Sequence, residues 1–176
     1  MRFCDKGKRI KLSPDKQRRK KDPMSTLDLK VPPLVVAAIA AIAMWLVTFV
    51  SPVMVLAPAV RVGLVLVSVI VGVGISLTGI ITFRRTKTTV NPHTPEKASS
   101  LVTVGIYQFT RNPMYVGVLC VLLGWAIFLS APLALVGPLA FYLYIGRFQI
   151  TPEEKALHLL FGSEYSMYKQ RVRRWL

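Results

Sequence analysis

Long uncharged runs alternate with clusters of basic residues along this chain. Asp, Glu, Lys and Arg are absent from Val31 to Val60, from Val62 to Phe83 and from Met114 to Gly146. A helix needs about 20 apolar residues to cross a hydrocarbon core about 30 Å thick. The first two runs therefore suit one span each, with Pro52 near the far end of the first. The third run would make about 50 Å of helix at about 1.5 Å per residue, too long for one span and a little short for two. Ser130-Ala131-Pro132 sits near its middle, and Pro132 cannot continue a helical hydrogen-bond ladder. A tight helical hairpin follows, with Gly137-Pro138 as a less central second break. The pattern predicts an all-α polytopic membrane protein with four transmembrane helices. The expected spans are about 33–56, 60–83, 114–130 and 132–148, with C-terminal cytoplasmic helices over about 152–174.

Charge supplies the orientation. The 176 residues, enough for one domain, carry a net charge of +15 although 53% of them are hydrophobic. Lys and Arg concentrate in the cytoplasmic loops of membrane proteins. With four spans and the N-terminus inside, 22 of the 23 basic residues fall on the cytoplasmic side and only Arg61 on the other. Three spans would move the six basic residues from Arg147 onward to the wrong side. Both termini are therefore expected in the cytoplasm, and the basic excess needs no nucleic acid to explain it.

Residues 1–30 form a basic leader, expected to be disordered, and residues 31–176 the membrane domain. The leader lacks the apolar core of a signal peptide. It reads as a topology determinant, as an arm on anionic lipid worth about 1 kcal/mol per basic residue, or as sequence upstream of a true start at Met24. Cys4 and Cys120 are far apart in sequence, and neither lies where a disulfide is favoured.

Candidate chemistry gathers at one face. The loop Arg84 to Pro113 is 30 residues long, a length that in a compact protein signals function or disorder. Its second half, Leu101-Val102-Thr103-Val104-Gly105-Ile106-Tyr107, is apolar and leads through Arg111-Asn112-Pro113-Met114-Tyr115 into span three. Pro113 suits a first helical turn and Asn112 an N-cap. Helix N-terminal amides beside Arg111 make an anion site. Alternatively Arg111 snorkels and Tyr115 anchors in the interface.

Thr151-Pro152-Glu153-Glu154 reads as a helix start, with Thr151 as N-cap and Glu154 closing a capping box. Glu153 has no such explanation, and a carboxylate beside a membrane needs a partner, for which Arg111 and Arg147 are the candidates. Gly162 is expected to end this helix. Tyr165, Tyr168 and Val172 recur at helical spacing among basic residues, the pattern of a helix lying in the interface plane. His93 and His158 lack neighbours at metal-ligand spacing, and Walker, dinucleotide and nucleophile-elbow motifs are absent.

From Leu101 to Tyr107, through Arg111-Asn112-Pro113-Met114-Tyr115, to Glu153-Glu154 and Phe161-Gly162-Ser163-Glu164-Tyr165 with Tyr168, the chain resembles the isoprenylcysteine carboxyl methyltransferase family. The wider group includes phospholipid N-methyltransferases. The resemblance covers about Asn91 to Trp175, and spans one and two share only their apolar character. It implies a membrane-embedded methyltransferase that uses S-adenosyl-L-methionine, with a lipophilic substrate entering from the bilayer. Carried across, it places Ser100, Leu101, Val102, Tyr107, Asn112, Pro113, Met114, Tyr115 and Glu153 around the cofactor, with Arg111 and Glu154 as catalytic polar groups. Gln149 and Arg147 fall at the substrate position. The family commonly has His where this chain has Asn112, which cannot titrate near neutral pH. Prenylcysteine enzymes tend to carry an Arg near the position of Gln149, so a carboxylate acceptor is less well provided for.

Methyl transfer to a ready nucleophile asks mainly for alignment and exclusion of water. Arg111 would hold the cofactor's carboxylate, Glu153 its ribose or amino group, and Tyr107 or Tyr115 would pack on adenine or sulfonium. The expected partners are membrane lipids and a lipophilic or lipid substrate, with no nucleic acid and no metal. Two other readings stand beside this one: a relative of the sterol reductases, which carry a similar Arg-His-Pro-x-Tyr element and use a nicotinamide cofactor, and a non-catalytic membrane scaffold.

Overall fold

The computed structural model describes residues 31–85 and 101–176. The basic leader, with Cys4 and Met24, and the first half of the long loop, with His93 and Ser100, lie outside the described residues. The described residues form five α-helices and no sheet: α1 (Pro33–Val47), α2 (Pro58–Arg85), α3 (Pro113–Leu129), α4 (Val136–Ile145) and α5 (Thr151–Arg171).

Among the described residues two helices are long and apolar enough to cross a membrane, α2 and the helical run Pro132–Arg171 that contains α4 and α5. Two shorter apolar helices, α1 and α3, pack with them. Large apolar side chains such as Leu34, Ile39, Leu66 and Ile70 point outward from α1 and α2. A contiguous apolar exterior of this kind suits hydrocarbon surroundings and not water. α1 is shorter than the 33–56 expected. The residue before a proline avoids helical geometry, and Ser51 precedes Pro52. The helical hydrogen bonding ends as Ser51 N–H donates to Val47 O at 3.0 Å.

The hairpin falls where Pro132 placed it. Ser130 takes a left-handed φ of 51° and closes the end of α3. Pro132–Leu135 then forms a 3-10 turn that leads into α4. Arg61 Nη1 donates to Ser130 Oγ at 3.3 Å, and Met54 N–H donates to Ser130 O at 2.7 Å. The basic residue that stands apart from all the others thus pins this turn. Gly137-Pro138 does not break the chain, because Pro138 lies in the first turn of α4, where its missing N–H would have had no helical partner.

The junction before α5 differs from the sequence expectation. Helix α4 runs on through a π-helical turn, Gly146–Ile150, directly into α5. Thr151 is therefore no N-cap, and its Oγ1 donates back to Gly146 O at 2.8 Å. Pro152 explains the widening: it lacks an N–H, and its ring would crowd the carbonyl four residues earlier in a regular α-helix. Gly162 does interrupt α5, with φ 50° and ψ −117°, but helix resumes beyond it. Tyr165, Tyr168 and Val172 do not form an outward-facing apolar stripe. They are buried against Leu101, Leu157 and Phe161.

Helices α2 and α3 share the most extensive contact in the molecule. Lipid-exposed helices lack a hydrophobic drive to associate, so close approach of small residues does the work. A Cβ on Gly72 would lie 2.6 Å from Gly117 O, and one on Gly117 would collide with Ser76 Oγ and Gly72 O. Gly79 lies against Pro113, so this packing also sets where α3 begins. Met44, Leu122, Ala134, Phe141, Ile145 and Ile150 fill the core between α1, α3 and α4. Gly117→Ala is expected to lower stability by about 1–3 kcal/mol through overpacking. Gly74, with nothing within 4 Å of its would-be Cβ, is expected to accept Ala with no loss, or a gain of up to about 1 kcal/mol. Thermal melts in detergent test the contrast, and equal losses at both positions would exclude helix contact as the cause.

Candidate active site at the start of α3

The loop into α3 is shaped by one glycine. Gly105 has φ +62°, a conformation that other residues rarely adopt. It starts the 3-10 turn Gly105–Gln108, which buries Tyr107. The Tyr107 ring meets Phe83 edge-on at 5.3 Å, and its carbonyl accepts from Tyr168 Oη at 2.7 Å. The Tyr107 hydroxyl itself is buried without a hydrogen-bond partner. Burial raises its pKa, as do the nearby Tyr168 and Glu153.

Beyond the turn, the C-terminal segment crosses the loop. Thr110 forms a parallel bridge with Arg173, and Arg111 N–H donates to Arg173 O at 3.1 Å. Asn112 precedes Pro113 at the start of α3, but its side chain makes no capping bond. Its Nδ2 donates instead to Arg174 O at 2.8 Å, and Thr110 Oγ1 accepts from Asn112 N–H at 3.1 Å. Trp175 packs on Tyr142 with ring centroids 4.7 Å apart, holding the end of this strap against α4.

The two adjacent glutamates meet different fates. Glu154 is no capping-box residue, since the chain is already helical through Gly146–Ile150 before α5 begins. It is buried and ion-paired: Oε1 lies 3.0 Å from Arg111 Nη1, and Arg174 donates to it through Nε at 3.1 Å and Nη2 at 2.6 Å. Lys169 Nζ adds a longer contact of 3.9 Å. Arg111 Nη1 also donates to Tyr165 Oη at 3.3 Å, and burial pushes the Tyr165 phenol up to about 12. Arg111 and Glu154 side chains are only 8% and 10% exposed. A buried pair of this kind is costly to break, because the survivor keeps its desolvation penalty.

Glu153 pairs with neither Arg111 nor Arg147, the partners expected for it. Its Oε1 accepts from Tyr115 Oη at 2.6 Å, and it has no cation within ion-pair distance among the described residues. Desolvation is the main cause that pushes its pKa up to about 8, opposed by the Tyr115 hydrogen bond and reinforced by the Glu154 charge. Burial without a charged partner therefore favours the protonated form of this acid.

Of the remaining residues singled out by sequence, Leu101 packs on the Tyr165–Tyr168 cluster and Val102 is buried. Met114 O accepts from Ser76 Oγ at 3.4 Å, which turns it toward α2. Gln149 is fully buried, with Nε2 donating to Val31 O at 2.6 Å and Oε1 left without a donor. Arg147 sits over the Phe148 ring at 5.9 Å and forms no ion pair among the described residues. Arg174, Tyr165 and Thr110 were not anticipated as site residues. Thr110 adjoins Arg111, which is a weak signal. Arg174 lies 20 residues beyond Glu154 in a run of basic residues, and nothing in that run singles it out. Away from these groups, an apolar crevice of about 310 Å³ lies between α1 and α4, lined by Val36, Ala40, Met44, Gly137, Phe141 and Tyr144 among others.

Comparison with known proteins places this architecture. The family model described as phospholipid methyltransferase matches residues 59–164, from the start of α2 to beyond the Gly162 kink. A Haemophilus influenzae protein named only as uncharacterized is 49% identical over 63 residues, covering 36% of this chain and all of that protein. A probable protein-S-isoprenylcysteine O-methyltransferase of Oryza sativa subsp. indica is 37% identical over 110 residues, 61% of this chain and 56% of the rice protein. Methanethiol S-methyltransferase 1 of Bradyrhizobium diazoefficiens is 38% identical over 73 residues, 38% of this chain and 22% of that protein. The chain thus matches little more than half the length of the Oryza sativa and Arabidopsis thaliana isoprenylcysteine methyltransferases. With three-fifths of its residues inside one family model, this membrane protein belongs to the phospholipid methyltransferase family.

Proposed function

We propose that the chain is an S-adenosylmethionine-dependent methyltransferase that acts on a lipophilic acceptor at the cytoplasmic membrane face. One observation carries this reading: Glu153 is a buried acid facing two phenols, Tyr115 and Tyr107, with no cation of its own. A carboxyl in that setting gains most from a positively charged ligand. Aromatic faces add cation–π attraction of about 0.5–2 kcal/mol. Arg111 supplies the complementary feature, a buried Nε without an acceptor. The methyl donor is a cation that also bears a carboxylate, so both vacant groups fit it. When bound, it supplies an electrophilic methyl group. The methyltransferase names of the rice and Bradyrhizobium relatives favour this over a nicotinamide-dependent reductase.

In this reading Arg111 binds the carboxylate end and Glu153 the cationic end, while Tyr107 and Tyr115 cover the reacting region and exclude water. Fixed placement of both ends does most of the catalytic work. Gln149 contributes to acceptor choice. Its Nε2 is committed to Val31 O, so the atom left for a substrate is a carbonyl oxygen. That oxygen suits an acceptor carrying a hydrogen, such as an amine, thiol or hydroxyl, better than a carboxylate. In this reading α1 to α4 serve as four spans, with α5, the loop and both termini in the cytoplasm, a topology that the distribution of basic residues supports.

Incubation with a methyl-labelled donor and a lipid extract, followed by mass spectrometry, is expected to yield a labelled lipophilic product. Absence of label in every lipid and small-molecule fraction would overturn the reading. The raised pKa of Glu153 makes a second expectation. Below about pH 8 Glu153 favours its protonated form, and a cation must displace that proton. Affinity for S-adenosylmethionine is therefore expected to rise up to about tenfold per pH unit from pH 6 to about 8 and then level off. S-Adenosylhomocysteine, with an uncharged sulfur, should show a flatter profile, and Glu153→Gln should flatten the first one. Calorimetry in detergent measures all three, and parallel profiles for the two ligands would remove Glu153 from the cationic end.

A further inference from the structure

We infer that Arg174 is a positioning residue that keeps the Arg111 guanidinium open toward the carboxylate of a bound ligand; the inference rests on the methyl-donor reading of the site. Glu154 has two oxygens to share. Arg174 takes both in a fork, Nε to Oε1 at 3.1 Å and Nη2 to Oε2 at 2.6 Å. Arg111 is left with one contact to Glu154, Nη1 to Oε1 at 3.0 Å, beside its bond from Nη1 to Tyr165 Oη at 3.3 Å. Its Nε is buried and has no acceptor among the described residues.

A buried donor left unmade costs about 1–3 kcal/mol. The natural remedy for a guanidinium beside a carboxylate is a paired fork of its own. Glu154 could supply that pairing by turning both oxygens to Arg111. It is prevented from doing so because Arg174 already holds them. The competition between two arginines for one carboxylate thus preserves an unmet donor at the site.

The position of Arg174 is itself over-determined. Its carbonyl accepts from Asn112 Nδ2 at 2.8 Å and from Thr110 Oγ1 at 3.5 Å. Arg173 on one side is bridged to Thr110, and Trp175 on the other is packed on Tyr142. The guanidinium is a third exposed, against less than a tenth for Arg111, so it acts on the buried pair from the rim and does not itself face the ligand's interior.

Two neutral-sulfur probes separate this role from a general one. S-Adenosylhomocysteine carries the carboxylate, and methylthioadenosine lacks the amino-acid end altogether. In the full chain, Arg174→Ala is expected to weaken S-adenosylhomocysteine about tenfold, the worth of one charged hydrogen bond, and to leave methylthioadenosine within about twofold. Arg174→Lys keeps the charge but not the fork, and is expected to weaken S-adenosylhomocysteine in the same direction by a smaller factor. Calorimetry in detergent reads both, and retained methylthioadenosine binding certifies the fold of each variant. Equal losses for the two probes, or no loss for either, would overturn the inference. If Arg174→Ala fails to fold, the Lys variant decides alone by the same comparison. A wild-type chain that binds neither probe would remove the methyl-donor site, and this inference with it.

Discussion

The Glu154 carboxylate ties together three segments that the sequence keeps far apart. It projects from α5, receives Arg111 from the loop before α3, and receives Arg174 from the C-terminal strap. Removing two or three charges from water is expensive, and only close, multiply bonded geometry offsets the cost. That demand fixes positions. Once Arg174 reaches Glu154, its carbonyl lies where Asn112 and Thr110 can donate to it, and the entry into α3 is set. Arg111 is then aligned by its own backbone bond to Arg173. The site exists because one carboxylate needs several cations, and they come from both ends of the membrane domain's second half.

Helix packing delivers these segments to the same place. Gly72 and Gly117 let α2 and α3 approach to backbone contact, and Gly79 accepts Pro113 at the start of α3. The N-terminus of α3, and with it Arg111 and Tyr115, is thereby set against the polar end of α2. On the other side, the helical segment that begins at Pro132 runs on through α4 and the π turn to Glu153 and Glu154. The π turn at Gly146–Ile150 adds a residue to one turn and so rotates everything beyond it. Glu153 and Glu154 owe their facing to that turn, which aims one at Tyr115 and the other at Arg111.

Much of this was legible in the chain because the signals were local or strongly periodic. Uncharged runs marked the apolar helices, and Pro132 after Ser130 marked the hairpin to the residue. The motif Arg111 to Tyr115 and the pair Glu153-Glu154 were visible as chemistry in search of partners. What the chain did not disclose were the pairings. Thr151-Pro152-Glu153-Glu154 has every mark of a helix start, yet the helix passes straight through it, since a π turn accommodates Pro152 as well as a break would. Tyr165 and Tyr168 repeat like an interfacial helix, yet their partners are Leu101 and Tyr107 on a distant loop. Arg174 was hidden for the same reason: an arginine in a basic tail takes its meaning from what folds against it.

The contrast between the two glutamates follows from helix geometry. Consecutive residues on a helix point about 100° apart, so neighbours in sequence see different surroundings. Glu154 turns to the loop and the strap and is fully compensated by arginine. Glu153 turns to α3 and finds a phenol, which can donate a hydrogen bond but brings no positive charge. Beside the compensated acid sits a guanidinium with an unmet donor, and around the uncompensated one sit two tyrosine rings. The site is therefore polarised, with an unmet donor at Arg111 and an acid without a charged partner at Glu153 among the described residues. A neutral or singly charged ligand would correct one deficit only. A ligand with a carboxylate at one end and a fixed positive charge nearer its reactive end corrects both, and the fold holds the two deficits in place before any ligand arrives.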